Sequence, residues 1–287
     1  MLRAYLELLR PPNVMTAVAD VLAGYAVAGL GNGRALPWLL TATACLYASG
    51  VVLNDYFDRR LDAVERPERP IPSGRVTPSG AAGLGATLLV SGVAAASQAT
   101  RAAAVTALVM AALIVLYDAW GKRHAVFGPL NMGLCRALNL VLGITAVPSA
   151  LAGHWPLALL SLVYIAAVTL VSRGEVHGGK AGTAALALIS LAGVVAALVV
   201  VALGAGARSS MALVLTALLA WRVLPPFWTV YRDSSPAVIR RAVKAGVLSL
   251  VLVDAVIGAA YAGPWYGAGI LATAILAGLL ARLFSVT

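Results

Sequence analysis

Residues 181–204 read AGTAALALISLAGVVAALVVVALG, a run with no charged side chain anywhere in it. Coiled as a helix at 1.5 Å per residue, such a run crosses the roughly 30 Å hydrocarbon core of a bilayer, which takes about 20 apolar residues. Working outward, nine further predominantly apolar runs stand at 13–30, 36–54, 79–98, 101–117, 129–150, 156–172, 209–230, 242–262 and 265–284. Only Gly263 and Pro264 divide the last two, so a broken or re-entrant helix there gives nine spans and separate helices give ten. Of the 287 residues, 61% are hydrophobic and 11% charged, with mean hydropathy +0.91. Soluble domains carry about 25% charged residues, and a chain this apolar has too little polar surface to cover a water-facing globule. A membrane β-barrel is excluded, because its strands are alternating segments of about ten residues and these runs are continuous. The fold class expected is all-α: one polytopic membrane bundle over 1–287, with nine or ten transmembrane helices.

The opening segment MLRAYLELLRPPN has no small-residue cleavage site at signal-peptide distance. It is expected to be an interfacial helix with Leu2, Leu6 and Leu9 on one side, leading into the first span. Cys45 and Cys135 fall inside spans, with neither metal-ligand spacing nor a disulfide framework. The net charge of +10 suggests nucleic acid, but its distribution argues against that partner. With the N-terminus cytoplasmic, only Arg34, Arg101 and Arg208 lie outside and Arg136 and Arg222 within spans; every other Lys and Arg lies inside. That asymmetry is the positive-inside pattern. The expected location is a cell (inner) membrane, with the N-terminus and the charged loops cytoplasmic. The four inner connections, 55–78, 118–128, 172–180 and 231–241, hold nearly all the charge, so chemistry on ionic groups belongs at that face.

An internal repeat is also visible. Asn13 in Pro-Pro-Asn-Val-Met and Asn131 in Pro-Leu-Asn-Met open the first and fifth spans, and the acidic cluster around Asp58 and Glu175 close the second and sixth. Four spans separate the copies, so 11–117 and 129–230 form a possible parallel pseudo-repeat. It would put two acidic loops on one face across a central cavity.

The densest chemistry is Asn54-Asp55-Tyr56-Phe57-Asp58-Arg59-Arg60-Leu61-Asp62. On a helix, spacings of three and four put Asn54, Asp55, Asp58 and Asp62 on one face. Carboxylates so placed repel one another unless a cation neutralises them, and hard oxygen ligands with bridging phosphates suit Mg²⁺. The plainer alternative pairs Asp55 and Asp62 with Arg59 or Arg66 as juxtamembrane charges; a whole acidic run at a membrane edge favours function. Next comes ERPERPIPSGR (65–75), where Pro67, Pro70 and Pro72 suppress helix and are expected to hold the chain extended. Arg66, Arg69 and Arg75 are presented beside the acids, and guanidinium forks suit phosphate oxygens. An ordinary basic loop facing anionic lipid has the same charge.

NDYFDRRLDAVERPERPIPSGRV (54–76) resembles the first signature of the UbiA superfamily of intramembrane prenyltransferases, in the version found in enzymes that prenylate glycerol phosphates and chlorophyll-type acceptors. Leu9-Arg10-Pro11-Pro12-Asn13 resembles the family's opening helix, and Tyr117 through Lys122-Arg123 its tyrosine-and-basic connection. The resemblance implies a helical barrel around a central lipid-accessible cavity, with Mg²⁺ and a prenyl diphosphate held between two acidic motifs. Carried over, it implies Asn54 and Asp58 as Mg²⁺ ligands, with Asp55 and Asp62 shaping or sharing that site. It implies Arg66, Arg69, Lys122 and Arg123, assisted by Arg10, as the diphosphate's partners. The reaction implied is transfer of the prenyl group to a small polar or aromatic acceptor.

The second motif departs from the family. Ser172-Arg173-Gly174-Glu175-Val176-His177-Gly178-Gly179-Lys180 has a single carboxylate where the family carries two or three aspartates. Glu175 is the candidate metal ligand there, and Asp118 can supply a missing acid. His177 has three possible roles, diphosphate hydrogen bonding, base or metal ligand, against the plainer one of an ordinary polar loop residue. This loop and the asparagine- and arginine-bearing fifth span are similar to the divergent EboC-like branch of the superfamily. Asn131, Cys135, Arg136 and Asn139 form a polar stripe on the fifth span. Arg136 either recognises acceptor or diphosphate or pairs with Asp20; Asp254 and Arg222 make a second candidate pair. The function expected is Mg²⁺-dependent prenyl transfer from an allylic diphosphate. The alternative is a non-catalytic or transport-type protein on the same fold, although transporters place their charge at the bilayer midplane and not at one edge.

Overall fold

The computed structural model describes residues 2–282, apart from the side chains of Leu2 and Ser209. Every regular element among them is helical: α1 Leu2–Leu9, α2 Pro11–Val27, α3 Leu36–Glu65, α4 Pro78–Ala99, α5 Arg101–Ala119, α6 Phe127–Ile144, the single turn α7 Leu151–His154, α8 Ala158–Ser172, α9 Ala181–Gly204, α10 Ser209–Arg232, α11 Pro236–Ala262 and α12 Pro264–Leu280. Eight of these segments are long and apolar enough to cross a bilayer, the α7–α8 region counting as one; α2 and α12, with 17 residues each, stand beside them. Seventeen residues is about the lower limit for a span. The expected ten runs therefore all appear as helices, and the break at Gly263 separates α11 from α12 because its φ of 102° is a conformation that side chains rarely adopt.

The boundaries shift where local chemistry ends a helix. The first span was expected to reach residue 30, but α2 stops at Val27. Gly29 and Leu30 have positive φ, and the Leu30 amide donates back to the Tyr25 carbonyl, closing the end as a left-handed cap. The run expected at 129–150 divides: α6 ends at Ile144, and a turn leads through Pro148 into α7. Of the expected span 265–284, residues 283 and 284 lie outside the described residues. The segment 66–77 is a compact series of turns, correcting the extended conformation anticipated from its prolines. The Ser73 amide donates to the Arg69 carbonyl, Gly74 to Ile71 and Val76 to Pro70, and a proline's fixed φ suits a turn as well as a strand. This folded loop buries Ile71 and Val76 against Ala4 and Leu8 of α1 and Val52 of α3. The buried side of α1 is therefore Ala4 and Leu8, while Leu6 and Leu9 are only partly covered; the side chain of Leu2 lies outside the described set.

Two larger clusters build the body of the bundle. One joins α2–α6, the other α2, α6 and α8–α12. The helices α2 and α6 belong to both, and they meet backbone to backbone. A Cβ on Gly24 would strike the Leu140 carbonyl oxygen, and one on Gly143 the Val21 carbonyl oxygen. Residues of α6 and α11 are mostly buried, whereas α4, α5 and α9 expose large apolar side chains such as Val90, Val105, Ile189 and Val200. Those outer faces are where lipid is the natural solvent.

Candidate active site

The helix α3 runs unbroken past its apolar part to Glu65, where Pro67 forbids continuation. Its last turns carry the acidic run, and the structure gives each acid a different partner. Asp55 and Asp62 are almost fully buried. Asp55 Oδ1 lies 2.6 Å from Arg10 Nη2 and 3.3 Å from Arg69 Nη1, and the same Arg69 nitrogen lies 2.7 Å from Asp62 Oδ2. Arg10, Asp55, Arg69 and Asp62 thus form one chain of charges tying α2, α3 and the 66–77 turns together. The plainer sequence alternative named Arg59 or Arg66 as partners. Arg59 instead stacks over the Tyr56 ring and donates to the Tyr56 carbonyl, and Arg66 is exposed at the C-terminus of α3.

The other half of the acidic run faces the end of α5 and the turn that follows it. Asn54 Nδ2 donates to Asp118 Oδ1 at 3.0 Å, and Asp58 Oδ1 lies 2.8 Å from Lys122 Nζ. Asp118 is buried and feels the charges of Lys122, Asp58 and Asp55. Two carboxylates and an amide oxygen are therefore gathered at the charged end of the bundle.

Asn54 and Asp118 line a cavity of about 420 Å³, and Asp58 and Lys122 stand outside its lining, Asp58 one helical turn beyond Asn54; the volume is within the usual range for small-molecule pockets. At its charged mouth are Arg10, Asn13, Asn54, Tyr117 and Asp118. Deeper, one wall from α3 and α5 is apolar, with Leu46, Gly50, Val51, Met110 and Ile114; the opposite wall from α6 presents Arg136 and Asn139, with Tyr47 beneath Arg136. Arg10 reaches this mouth from a left-handed backbone conformation (φ 44°). For a residue other than glycine that costs on the order of 1–3 kcal/mol, and the conformation places the Arg10 guanidinium 2.6 Å from Asp55.

Other expected residues take structural places. Asn131 is buried and donates to the Leu113 carbonyl (3.3 Å). Arg136 Nη1 pairs with Asp20 at 2.7 Å and Nη2 donates to Thr16 Oγ1 at 2.6 Å, so the Asp20 alternative describes its contacts. The Asp254–Arg222 pair is corrected: Arg222 Nε reaches Ser249 Oγ at 3.4 Å, and Asp254 turns to Asp20. Arg123 is exposed.

The loop 172–180 does not come to the cavity. Arg173 donates to the carbonyls of Lys122, Arg123 and His124 at 3.1, 3.4 and 3.3 Å, tying the loop to the α5–α6 turn. The Gly179 amide bonds the Ser234 carbonyl, and Arg240 takes the Glu175 carbonyl at 2.8 Å. These ties hold Glu175 near Arg66 and Arg240, with burial raising its carboxyl against the pull of those two cations. His177 is exposed. Neither Glu175 nor His177 lines the cavity, and Asp58 does not line it either. Among the described residues no three His, Cys, Asp or Glu side chains gather as a metal cluster. The donor set that does exist, Asp58 and Asp118 with the Asn54 amide oxygen, is all hard oxygen. It leaves further positions for waters and phosphate oxygens, as Mg²⁺ prefers. The residues fit such an ion.

Three comparisons bear on this arrangement. A profile of the UbiA prenyltransferase family matches residues 15–252. Digeranylgeranylglyceryl phosphate synthase of Methanopyrus kandleri is 33% identical over 186 residues, 63% of this chain and 66% of that protein. The synthase of Methanothrix thermoacetophila is 31% identical over 182 residues, 61% and 68%. The matched region thus spans about two thirds of the length of these relatives. Among solved structures, one of a digeranylgeranylglyceryl phosphate synthase superposes with TM-score 0.67 at 22% identity, over 90% of this chain and 98% of that one. A homologue from Archaeoglobus fulgidus bound to GPP and Mg²⁺ superposes with TM-score 0.56 at 16% identity, over 94% and 99%.

Proposed function

The chain belongs to the UbiA prenyltransferase family, and on that premise we propose that it is an intramembrane prenyltransferase, cleaving an allylic polyprenyl diphosphate with Mg²⁺ and passing the prenyl group to a polar or aromatic acceptor. The observation that carries the reading is the cavity, which has oxygen donors and cations at one end and an apolar wall beyond them. The names of the relatives support prenyl transfer to a glycerol phosphate in those proteins, and the Archaeoglobus structure supports a prenyl diphosphate with Mg²⁺ as the ligand class.

In this reading Asp58, Asp118 and Asn54 would hold Mg²⁺, and a bound ion would supply Lewis-acid neutralisation of the charge that develops on the diphosphate oxygens. Lys122 and Arg10 bind the same oxygens directly. Arg69, buried between Asp55 and Asp62, keeps the acidic helix and the 66–77 turns in register and does not contact the diphosphate. The α3–α5 wall takes the prenyl chain, and the enclosing helices keep water from the allylic cation. Orientation follows the positive-inside asymmetry, with the N-terminus and mouth at the cytoplasmic face of a cell membrane. The parallel duplication of 11–117 and 129–230 belongs to the same reading, supported by Pro-x-Asn near the N-terminus of both α2 and α6.

The non-catalytic alternative takes its support from Glu175, whose placement leaves the second motif without a carboxylate at the cavity. Equilibrium binding of labelled geranylgeranyl diphosphate to the protein in nanodiscs tests the first step. Binding that needs Mg²⁺ and is lost in Asp58→Ala and Asp118→Ala is expected. No Mg²⁺-dependent binding at any prenyl length sinks the proposal, and tight binding without diphosphate release favours the alternative.

A further inference from the structure

Behind the α6 wall of the cavity lies a group of charges that the proposed reaction leaves unused. Asp20 of α2 and Asp254 of α11 are both fully buried, on helices that pack against each other. Their carboxyls lie within side-chain hydrogen-bonding reach. Asp20 Oδ2 accepts from Arg136 Nη1 at 2.7 Å and from Asn139 Nδ2 at 3.0 Å. Asp20 Oδ1 and both oxygens of Asp254 meet no protein donor. Arg136 is the cation at this pair among the described residues. A buried polar atom without a partner is rare enough to need a cause.

Charge counting supplies the cause. Two ionised carboxylates beside one guanidinium leave a net negative charge deep in an apolar bundle, where an uncompensated ion costs far more than folding can offset. Their facing lone pairs also repel. One proton removes both problems, since a neutral carboxyl has an O–H to donate to its neighbour. Two donors already point at Asp20, which makes it the ionised member and leaves the proton to Asp254. We propose that Asp254 is held as a neutral acid donating its hydroxyl to Asp20 Oδ1, completing a neutral Asp20–Asp254–Arg136 triad that positions Arg136 and Asn139 on the cavity wall. Asp254 does not line the cavity and is a positioning residue. Asn139 is further fixed by donating to the Ala17 carbonyl (2.9 Å) and accepting from Thr43 Oγ1 (2.6 Å), so the triad sets the wall through α2, α3 and α6 together.

The test is infrared difference spectroscopy of the full-length protein in nanodiscs, in H₂O and D₂O. The wild type minus Asp254→Asn spectrum is expected to contain one deuterium-sensitive carboxylic acid C=O band; other neutral acids cancel in the difference. Asp20→Asn is expected to lose the same band, because Asp254 must then ionise to balance Arg136. Arg136→Met is expected to gain a second acid band, because both carboxyls then become neutral. No acid band lost in Asp254→Asn, or a band that survives Asp20→Asn unchanged, overturns the proposal. Wild-type stability that depends on Na⁺ or K⁺ with no such band overturns it in favour of a bound cation. An activity arm rests on the prenyltransferase reading. Asp254→Leu is expected to raise KM about tenfold through loss of the hydrogen bond, whereas Asp254→Asn, whose amide can donate to Asp20, restores it. The spectra need no turnover, so the triad and the catalytic reading fail separately. If Asp254→Leu does not fold, the Asn variant and wild-type spectra still decide.

Discussion

Replacing Arg69 by Met takes away the guanidinium that two buried carboxylates share. The side chain of Arg69 is only 10% exposed, and those of Asp55 and Asp62 only 5%. Asp55 keeps Arg10 at 2.6 Å after the change, but Asp62 loses the cation at 2.7 Å that neutralises it. Breaking a buried pair from one side costs about 3–5 kcal/mol; with one of the two acids still paired, the lower end, about 3 kcal/mol, is expected. A pair of this kind is little screened, so the loss should persist at high salt. The assay is equilibrium unfolding in mixed micelles, run as a cycle with Asp62→Asn. Removing the orphaned charge should recover most of the loss, giving a coupling of about 2–3 kcal/mol. The competing account makes Arg69 a diphosphate ligand. Wild-type stability in Arg69→Met together with a large loss of prenyl diphosphate affinity would refute the clamp reasoning and favour that account.

Three further outcomes follow from the same contacts. Gly143→Ala forces a methyl group onto the Val21 carbonyl oxygen and should lower stability by about 1–3 kcal/mol, read as a lower thermal midpoint; an unchanged midpoint contradicts the close α2–α6 crossing. Arg173→Met removes the three bonds that join loop 172–180 to the α5–α6 turn, so amide exchange should rise in both segments, and a rise in one alone counts against the tie. Glu175 has its carboxyl raised by burial, so its contribution to stability is present at low pH and is lost as pH rises from about 4.3, the ordinary glutamate value, through the raised one. Glu175→Gln should flatten that part of the unfolding profile and leave the Mg²⁺ requirement unchanged; a shifted Mg²⁺ dependence would restore Glu175 as a ligand.

The helices were legible because an uncharged run such as 181–204 has one stable form in lipid, and its length sets its role. The acidic face of α3 was legible for the same local reason: spacings of three and four fix neighbours on a helix whatever surrounds it. Partners were harder. A guanidinium fork fits carboxylate as well as phosphate, so the sequence around Arg69 does not say which it meets. Asp254 is as compatible with Arg222 as with Asp20 until the rotation of α11 is known. Glu175 was placed by analogy between two acidic loops, yet its position depends on bonds from Arg173, Gly179 and Arg240 to distant carbonyls, which leave no mark in spacing. Asp118 carried a usable signal, an acid at the charged end of an apolar span, and the structure sets it beside Asn54.

The proposed reaction requires the oxygen donors at the charged end of the cavity to support cleavage of a prenyl diphosphate. Single-turnover release of diphosphate from geranylgeranyl diphosphate, followed with and without Mg²⁺ in wild type and Asp58→Asn, measures it most directly. Mg²⁺-dependent release that falls by about a hundredfold or more in Asp58→Asn is expected. Release that ignores both Mg²⁺ and Asp58, or bound substrate that is never cleaved, would contradict it.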